Sequence, residues 1–294
     1  MQYNNKKVSL FIILTFSICW LMAVLFAVFG GKLHTTSGLI MAILYMFVPM
    51  TVTILIQKLA YKEPLKEPLD ISFKLNGWFL LAWILPVFIS FAAFGIALLL
   101  PGVHFSPQME GLVEMFQSQL TPDKMEALKK QLESPPIFIL PAMLLQALVA
   151  GTAVNAIAAF GEELGWRGFL QKELSGLGFW KSSLAIGVIW GIWHAPLIAL
   201  GHNYPNHPVA GVFMMVVFCT LLGPIISYVR LKAKSVIAAA IMHGMINASP
   251  GFALMYLRGG NELLIGITGL AGFIIMLIIN IIIFAFDRSL LKEP

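Results

Sequence analysis

Two adjacent glutamates follow directly on an apolar stretch in Phe160-Gly161-Glu162-Glu163-Leu164-Gly165-Trp166-Arg167, and the chemistry of this sequence is read from them outward. The other acids fall in connecting segments, helix ends or tails. Among the histidines, His34, His104, His202 and His207 also fall in connecting segments, whereas His194 and His243 lie inside apolar runs. An ionisable side chain at membrane depth is costly unless paired, so each of these inner residues is a functional candidate. Glu163 and Arg167 are four apart with the acid first, the favourable order for a pair on one helix face. Glu162 sits about 100° round the same helix, free to face something else. His243 and Asn247 are likewise four apart and point one way. His194 stands in Trp190-Gly191-Ile192-Trp193-His194-Ala195-Pro196, where the proline loosens backbone bonding just past it. A carboxylate and a histidine can hold and deprotonate a water, and a second histidine with an asparagine can donate to a developing oxyanion. That is equipment for hydrolysing a carbonyl. No serine or cysteine presents itself as a nucleophile beside a histidine, which disfavours an acyl-enzyme route.

The elements that must carry these residues are membrane helices. The chain of 294 residues is 59% hydrophobic and 11% charged, and its mean hydropathy is +0.87. Long apolar runs with charges confined between them mean that the bilayer is the solvent. Eight stretches are long enough to span, at Val8–Gly30, Gly38–Gln57, Gly77–Leu100, Ile137–Phe160, Ser182–Leu200, Val209–Val229, Ser235–Leu257 and Leu263–Phe286. The fourth is expected to continue as a helix through Gly161–Leu174. The expected fold is all-α: one polytopic domain over residues 1–294, a bundle of eight transmembrane helices around a buried polar site. Both termini are expected in the cytoplasm of a multi-pass cell-membrane protein, because that orientation puts 14 of the 19 Lys and Arg residues inside. The net charge of +5 then reflects topology and contact with anionic lipids, not nucleic acid.

Two connecting segments stand out. Residues 60–76 repeat Lys-Glu-Pro-Leu at Lys62 and Lys66, and the prolines predict an extended, lipid-facing connector. Residues 101–136 form a long external loop in which Thr121-Pro122-Asp123 starts a short amphipathic helix, with Met125, Leu128 and Leu132 on one face. Gly187, Gly191 and Ala238–Ala240 are expected as packing faces. Trp78, Trp83, Trp180 and Tyr204 are expected at the membrane interfaces. Cys19 and Cys219 are expected as small buried hydrophobes.

Taken in order, Glu162-Glu163-x-x-x-Arg167, then Trp190-x-x-x-His194, then His243-x-x-x-Asn247 resemble the three motifs of the CAAX prenyl protease family, also called the CPBP or Abi family of intramembrane proteases. Any one motif is weak, but three in order on successive spans within residues 162–247 are a strong signal. The resemblance implies Glu162 as the water-activating base, His194 as its partner, and His243 with Asn247 as the oxyanion side. Glu163 and Arg167 become a supporting pair. One departure is visible: the family's second motif usually begins with phenylalanine, and Trp190 stands there.

The expected function is therefore an intramembrane endopeptidase acting on a lipidated or membrane-inserted peptide, in a CAAX-type or a bacteriocin- or pheromone-processing role. The alternatives are a non-enzymatic immunity or scaffold protein on the same fold, and a zinc metalloprotease variant holding its metal on Glu162, His194 and His243. No compact His-Glu-x-x-His helix is present, so a water held without any cofactor is preferred. A proton-coupled transporter would be expected to show repeat symmetry and paired broken helices, and neither is apparent. With His243 roughly 12 Å below the start of its span, a water-filled cavity open to the cytoplasmic side is expected.

Overall fold

The computed structural model describes residues 4–116, 121–133, 139–249 and 254–291. The first three long helices start from side-chain caps. Asn4 accepts from the amides of Lys6 and Lys7 at the head of α1 (Asn5–Val28). Thr35 and Asn76 do the same for α2 (Thr36–Ile54) and α3 (Gly77–Ala97). α2 runs on into a π-helical turn, Leu55–Ala60. Beyond α3 the chain forms a two-residue strand β1 (His104–Phe105) and two short helices, α4 (Glu110–Phe116) and α5 (Pro122–Leu132). As expected, α5 starts from Thr121, and Met125, Leu128 and Leu132 are half-buried on it.

The chemistry-bearing helix is one continuous rod built of α6 (Ile139–Ala150), α7 (Ala156–Glu163) and α8 (Gln171–Glu173), joined by π-helical stretches at Gly151–Asn155 and Leu164–Leu170. Its continuation past Gly161 matches the sequence reading. The rest follows as α9 (Phe179–Trp193), α10 (Ala195–Ala199), α11 (Pro208–Ala233), α12 (Val236–Ala248), β2 (Leu257–Arg258) and α13 (Leu270–Phe286).

Among the described residues, five helices are long and apolar enough to cross a membrane, and α12 and α13 are shorter apolar helices. Three expected spans are thus revised. The fifth is broken at His194, because Pro196 cannot donate its backbone bond. The seventh ends at Ala248 and not Leu257; Ser249 caps it, its amide donating to the Met245 carbonyl. The eighth starts at Leu270 and not Leu263, because Gly266 takes a left-handed φ of +77° just upstream. The freed segment 257–258 pairs antiparallel with β1, setting His104 opposite Arg258.

Two other expectations change. The 60–76 connector is anchored: Leu69 is fully buried, Asp70 pairs with Arg230 at 3.0 Å, and the Asp70 carbonyl accepts from the amide of Val236. Tyr204 is not an interfacial residue but is buried, its hydroxyl donating to the Thr268 carbonyl at 2.6 Å. The two cysteines are fully buried and free, as expected.

α9 and α11 meet through small residues, the device membrane helices use for close approach. A Cβ on Gly187 would lie 2.6 Å from the Cys219 carbonyl oxygen, and one on Gly191 would lie 2.5 Å from Cα of Val216. Both obstacles are backbone and cannot turn aside. Gly191→Val should therefore lower stability by about 1–3 kcal/mol or more, whereas Gly95→Ala, with nothing within 4 Å, should be neutral or slightly stabilising. Thermal unfolding of the two variants in detergent checks the contrast; equal stability would refute the close α9–α11 packing.

Candidate active site

The α6–α8 rod presents Glu162 and Glu163 in different directions, as their angular separation requires. π-helical stretches sit on both sides of this segment, a distortion often found at functional sites. Glu163 is fully buried, and its Oε1 accepts from Arg167 Nη1 at 3.0 Å and from His243 Nδ1 at 2.8 Å. One oxygen thus ties the rod to α12. Glu162 is also buried, but its Oε2 accepts from the indole Nε1 of Trp190 at 2.7 Å.

Trp190 is the hub of the site. Its carbonyl faces Nδ1 of His194 at 2.9 Å, its ring lies 4.5 Å below the Arg167 guanidinium, and it meets the His243 ring edge-on at 5.2 Å. A carbonyl only accepts, so His194 must carry its proton on Nδ1, which leaves Nε2 with a lone pair. For His243, the Glu163 carboxylate occupies Nδ1 and leaves Nε2 as the available nitrogen. Donation from that Nε2 to an oxyanion with Nδ1–H retained requires the doubly protonated ring, and Glu163 supplies the negative partner such a ring needs.

The kink at His194 is secured by side chains. Pro196 leaves carbonyls near the kink without their usual partners, and the Trp193 carbonyl accepts from the Tyr45 hydroxyl at 2.8 Å and the Trp20 indole at 3.3 Å. Tyr45 also packs its ring 4.6 Å from that of Trp193.

Glu162, Trp190, His194, His243 and Asn247 all line one cavity of about 330 Å³. The structure therefore brings together every residue that the sequence assigned to catalysis. It adds detail and corrects some of it. No hydrogen bond joins Glu162 to His194 among the described residues; both are instead held by Trp190. Glu163 and Arg167 are more than a supporting pair, because Glu163 also orients His243. Among the described residues no group of three or more His, Cys, Asp or Glu side chains that could hold a metal ion is found.

Asn155 lines the same cavity and was missed. It stands seven residues before Glu162 in an apolar run, two helical turns away, and that spacing is the signal that could have found it.

The mouth of the cavity also differs from expectation. Exposed residues at its edge are His202 and Asn203, from the loop after α10, and Asn247, near the end of α12. Ile267 and Thr268, just before α13, complete that edge. On the far side of Glu162, Trp166, Arg167, Phe169 and Leu170 are fully buried. The cavity is closed toward the lysine-rich end of the bundle, where the termini lie, and reaches the opposite end. α12 stops at Ala248 and not Leu257, which shortens the path from His243 to the opposite end.

Fold and site together define a helical membrane protein with a buried carboxylate–histidine cavity. Residues 143–249, which carry all three motifs, match the family model described as Type II CAAX prenyl endopeptidase Rce1-like. Among curated proteins, the chain is 36% identical over 97 residues to CAAX prenyl protease 2 of Methanococcus maripaludis, covering 31% of this chain and 36% of that protein. The chain is thus aligned with about a third of the length of the curated relative it matches. The resemblance read from the motifs is shown over this segment.

The indole bond to Glu162 is one that the phenylalanine usual at this position cannot make. Trp190→Phe keeps an aromatic ring beneath Arg167 but removes the donor to a carboxylate, worth about 1.5–3 kcal/mol. Turnover should fall about tenfold or more with the protein still folded. Glu163→Gln, by contrast, should destabilise the fold by about 3–5 kcal/mol, since it strips a buried cation of its partner. Peptide-release rates and thermal unfolding measured on both variants distinguish the roles; unchanged turnover in Trp190→Phe would show that the bond is idle.

Proposed function

We infer that the chain is a cell-membrane endopeptidase, built on eight membrane-embedded helical segments, that hydrolyses a peptide bond in a lipidated or membrane-inserted peptide or protein. The observation that carries this reading is that Glu162, His194, His243 and Asn247 line a single cavity within an apolar bundle. The Rce1-like match over the same residues supports it. So does the printed name of the curated relative, a CAAX prenyl protease.

In the proposed reaction a water is held against Glu162, which takes its proton while the hydroxide attacks the peptide carbonyl carbon. His194 accepts a hydrogen bond from the same water through Nε2 and fixes its direction. The carbonyl oxygen becomes an oxyanion held by His243 Nε2–H and the Asn247 amide. The C–N bond then breaks, and the proton held by Glu162 passes to the departing amine. No metal takes part in this scheme. Anionic lipids are proposed to contact the basic residues at the end carrying the termini, and that end is proposed to face the cytoplasm.

Release of peptides from membranes, compared between wild type and Glu162→Gln, is the test. Glu162→Gln should abolish release while the protein remains folded, because the amide is nearly isosteric but cannot accept the proton. His243→Ala and Asn247→Ala should each lower turnover by about 10²–10³ with little change in substrate affinity. Near-normal turnover in Glu162→Gln would remove the assigned base. Bound zinc in protein purified without chelator, with activity lost on chelation, would favour the metalloprotease variant.

A further inference from the structure

A polar side chain in an apolar bundle either binds a neighbouring helix or faces a space that holds something polar. This chain contains both cases. On α13, Asn280 gives its amide hydrogens to two carbonyls, those of Leu221 at 2.7 Å and Met276 at 2.8 Å. Asn155 on the rod does otherwise. It is half-buried and lines the cavity that holds Glu162, His243 and Asn247, and among the described residues its side chain has no hydrogen-bond partner. An amide in such a place relies for its hydrogen bonds on whatever fills the cavity.

The rod sets the position of Asn155 relative to the catalytic groups. Asn155 closes the π-helical stretch Gly151–Asn155, and from Ala156 to Glu163 the rod is α-helical. Seven residues make about 700°, nearly two full turns, so Asn155 shares the face of Glu162 and stands about 10 Å from it along the axis. Beyond Glu162 the rod leads to Glu173 and its Lys7 pairing, so this displacement is toward the mouth of the cavity. α12 flanks the rod there: a Cβ on Gly151 would lie 3.2 Å from Cβ of Ala248, and one on Gly244 would lie 2.5 Å from the nitrogen of Ala156. Asn247 therefore stands beside the stretch that ends in Asn155, and two carboxamides line the route between the rim and Glu162. A carboxamide carries a donor and an acceptor side by side, the same pair that a peptide group presents. An extended chain advances about 3.3 Å per residue, so the separation from Glu162 corresponds to about three residues. Resting on the peptidase reading above, we propose that Asn155 is a substrate-binding residue: its carboxamide hydrogen-bonds the main chain of the bound peptide about three residues from the scissile bond, on the side of the mouth. It reads backbone and not side chain, and so holds an extended peptide in register with Glu162 whatever its sequence.

Proteins cleaved in wild-type but not in Glu162→Gln membranes, identified by mass spectrometry, supply a cut site, and a synthetic peptide spanning it is the probe. Replacing one peptide N–H at a time by an ester oxygen removes a backbone donor and weakens the adjoining acceptor. In wild type, one such replacement about three residues from the cut should raise KM about tenfold with little change in kcat. Asn155→Ala should raise KM for the unmodified peptide by a similar factor and erase the effect of that replacement, because both remove the same bond. Thermal unfolding of Asn155→Ala should match wild type, since the side chain bonds no other described part of the protein. An ester scan in wild type with no sensitive position at that distance refutes the proposal and needs no variant to fold. So does an ester effect that persists undiminished in Asn155→Ala, or a marked loss of thermal stability, which would make Asn155 a packing residue. If no protein is cleaved in a Glu162-dependent way, the peptidase reading fails and this proposal falls with it; cleavage indifferent to Asn155 sinks the proposal alone.

Discussion

One carboxylate oxygen, Oε1 of Glu163, governs the arrangement of the site. It is shared between Arg167 on its own rod and His243 on α12, with all three side chains withdrawn from solvent. Nothing in a hydrocarbon-embedded interior would compensate a lone charge there. Each partner is therefore committed: Arg167 cannot wander from the rod, and the His243 ring cannot turn its Nδ1 elsewhere. The pairing also frees Glu162, which would otherwise compete for the same cations and instead takes a neutral indole donor.

This sharing requires α12 to approach the rod closely, and the backbone is shaped for it. A Cβ on Gly244 would lie 2.5 Å from the backbone nitrogen of Ala156, and one on Gly151 would lie 2.5 Å from the sulfur of Met245. Larger residues at either contact would push His243 away from Glu163. On the other wall the constraint is a proline. By breaking α9 after Trp193, Pro196 exposes a carbonyl that Tyr45 and Trp20 satisfy, so α1 and α2 hold the segment carrying His194. Four elements that share no sequence motif thus converge on two histidines.

Much of this was legible in the sequence, and the rest was hidden for definable reasons. Apolar run length located the helices, and four-residue spacing located the Glu163–Arg167 pair and the common face of His243 and Asn247. The α9–α11 seam was visible as Gly187 and Gly191. What spacing could not reveal was any bond between separate helices. The sequence suggested Arg167 for Glu163 but had no means to add His243, eighty residues away. Trp190 looked like a substitution in a pocket wall, because a donor is recognised only when its acceptor's position is known. Short helices misled for a different reason. Hydropathy continues past Ala248 and begins before Leu270, while α12 closes at its Ser249 cap and Gly266 turns the backbone with a left-handed φ.

The helix end at Ala248 decides more than a boundary. If α12 ran from Ser235 to Leu257, His243 would lie nearer its lysine-rich start, and a water path from that side would be the shorter one. As folded, His243 is about 10 Å from Val236 and about 8 Å from Ala248, at 1.5 Å per residue. The two routes are of similar length, so depth along the helix cannot choose between them. Packing chooses. The large aromatic and aliphatic residues that follow Glu163 fill the path on one side, and they must do so to keep Arg167 dry enough for its pairing to hold. The same layer that makes the Glu163 pairing secure therefore leaves the cavity to open toward the opposite end, at His202, Asn203 and Asn247.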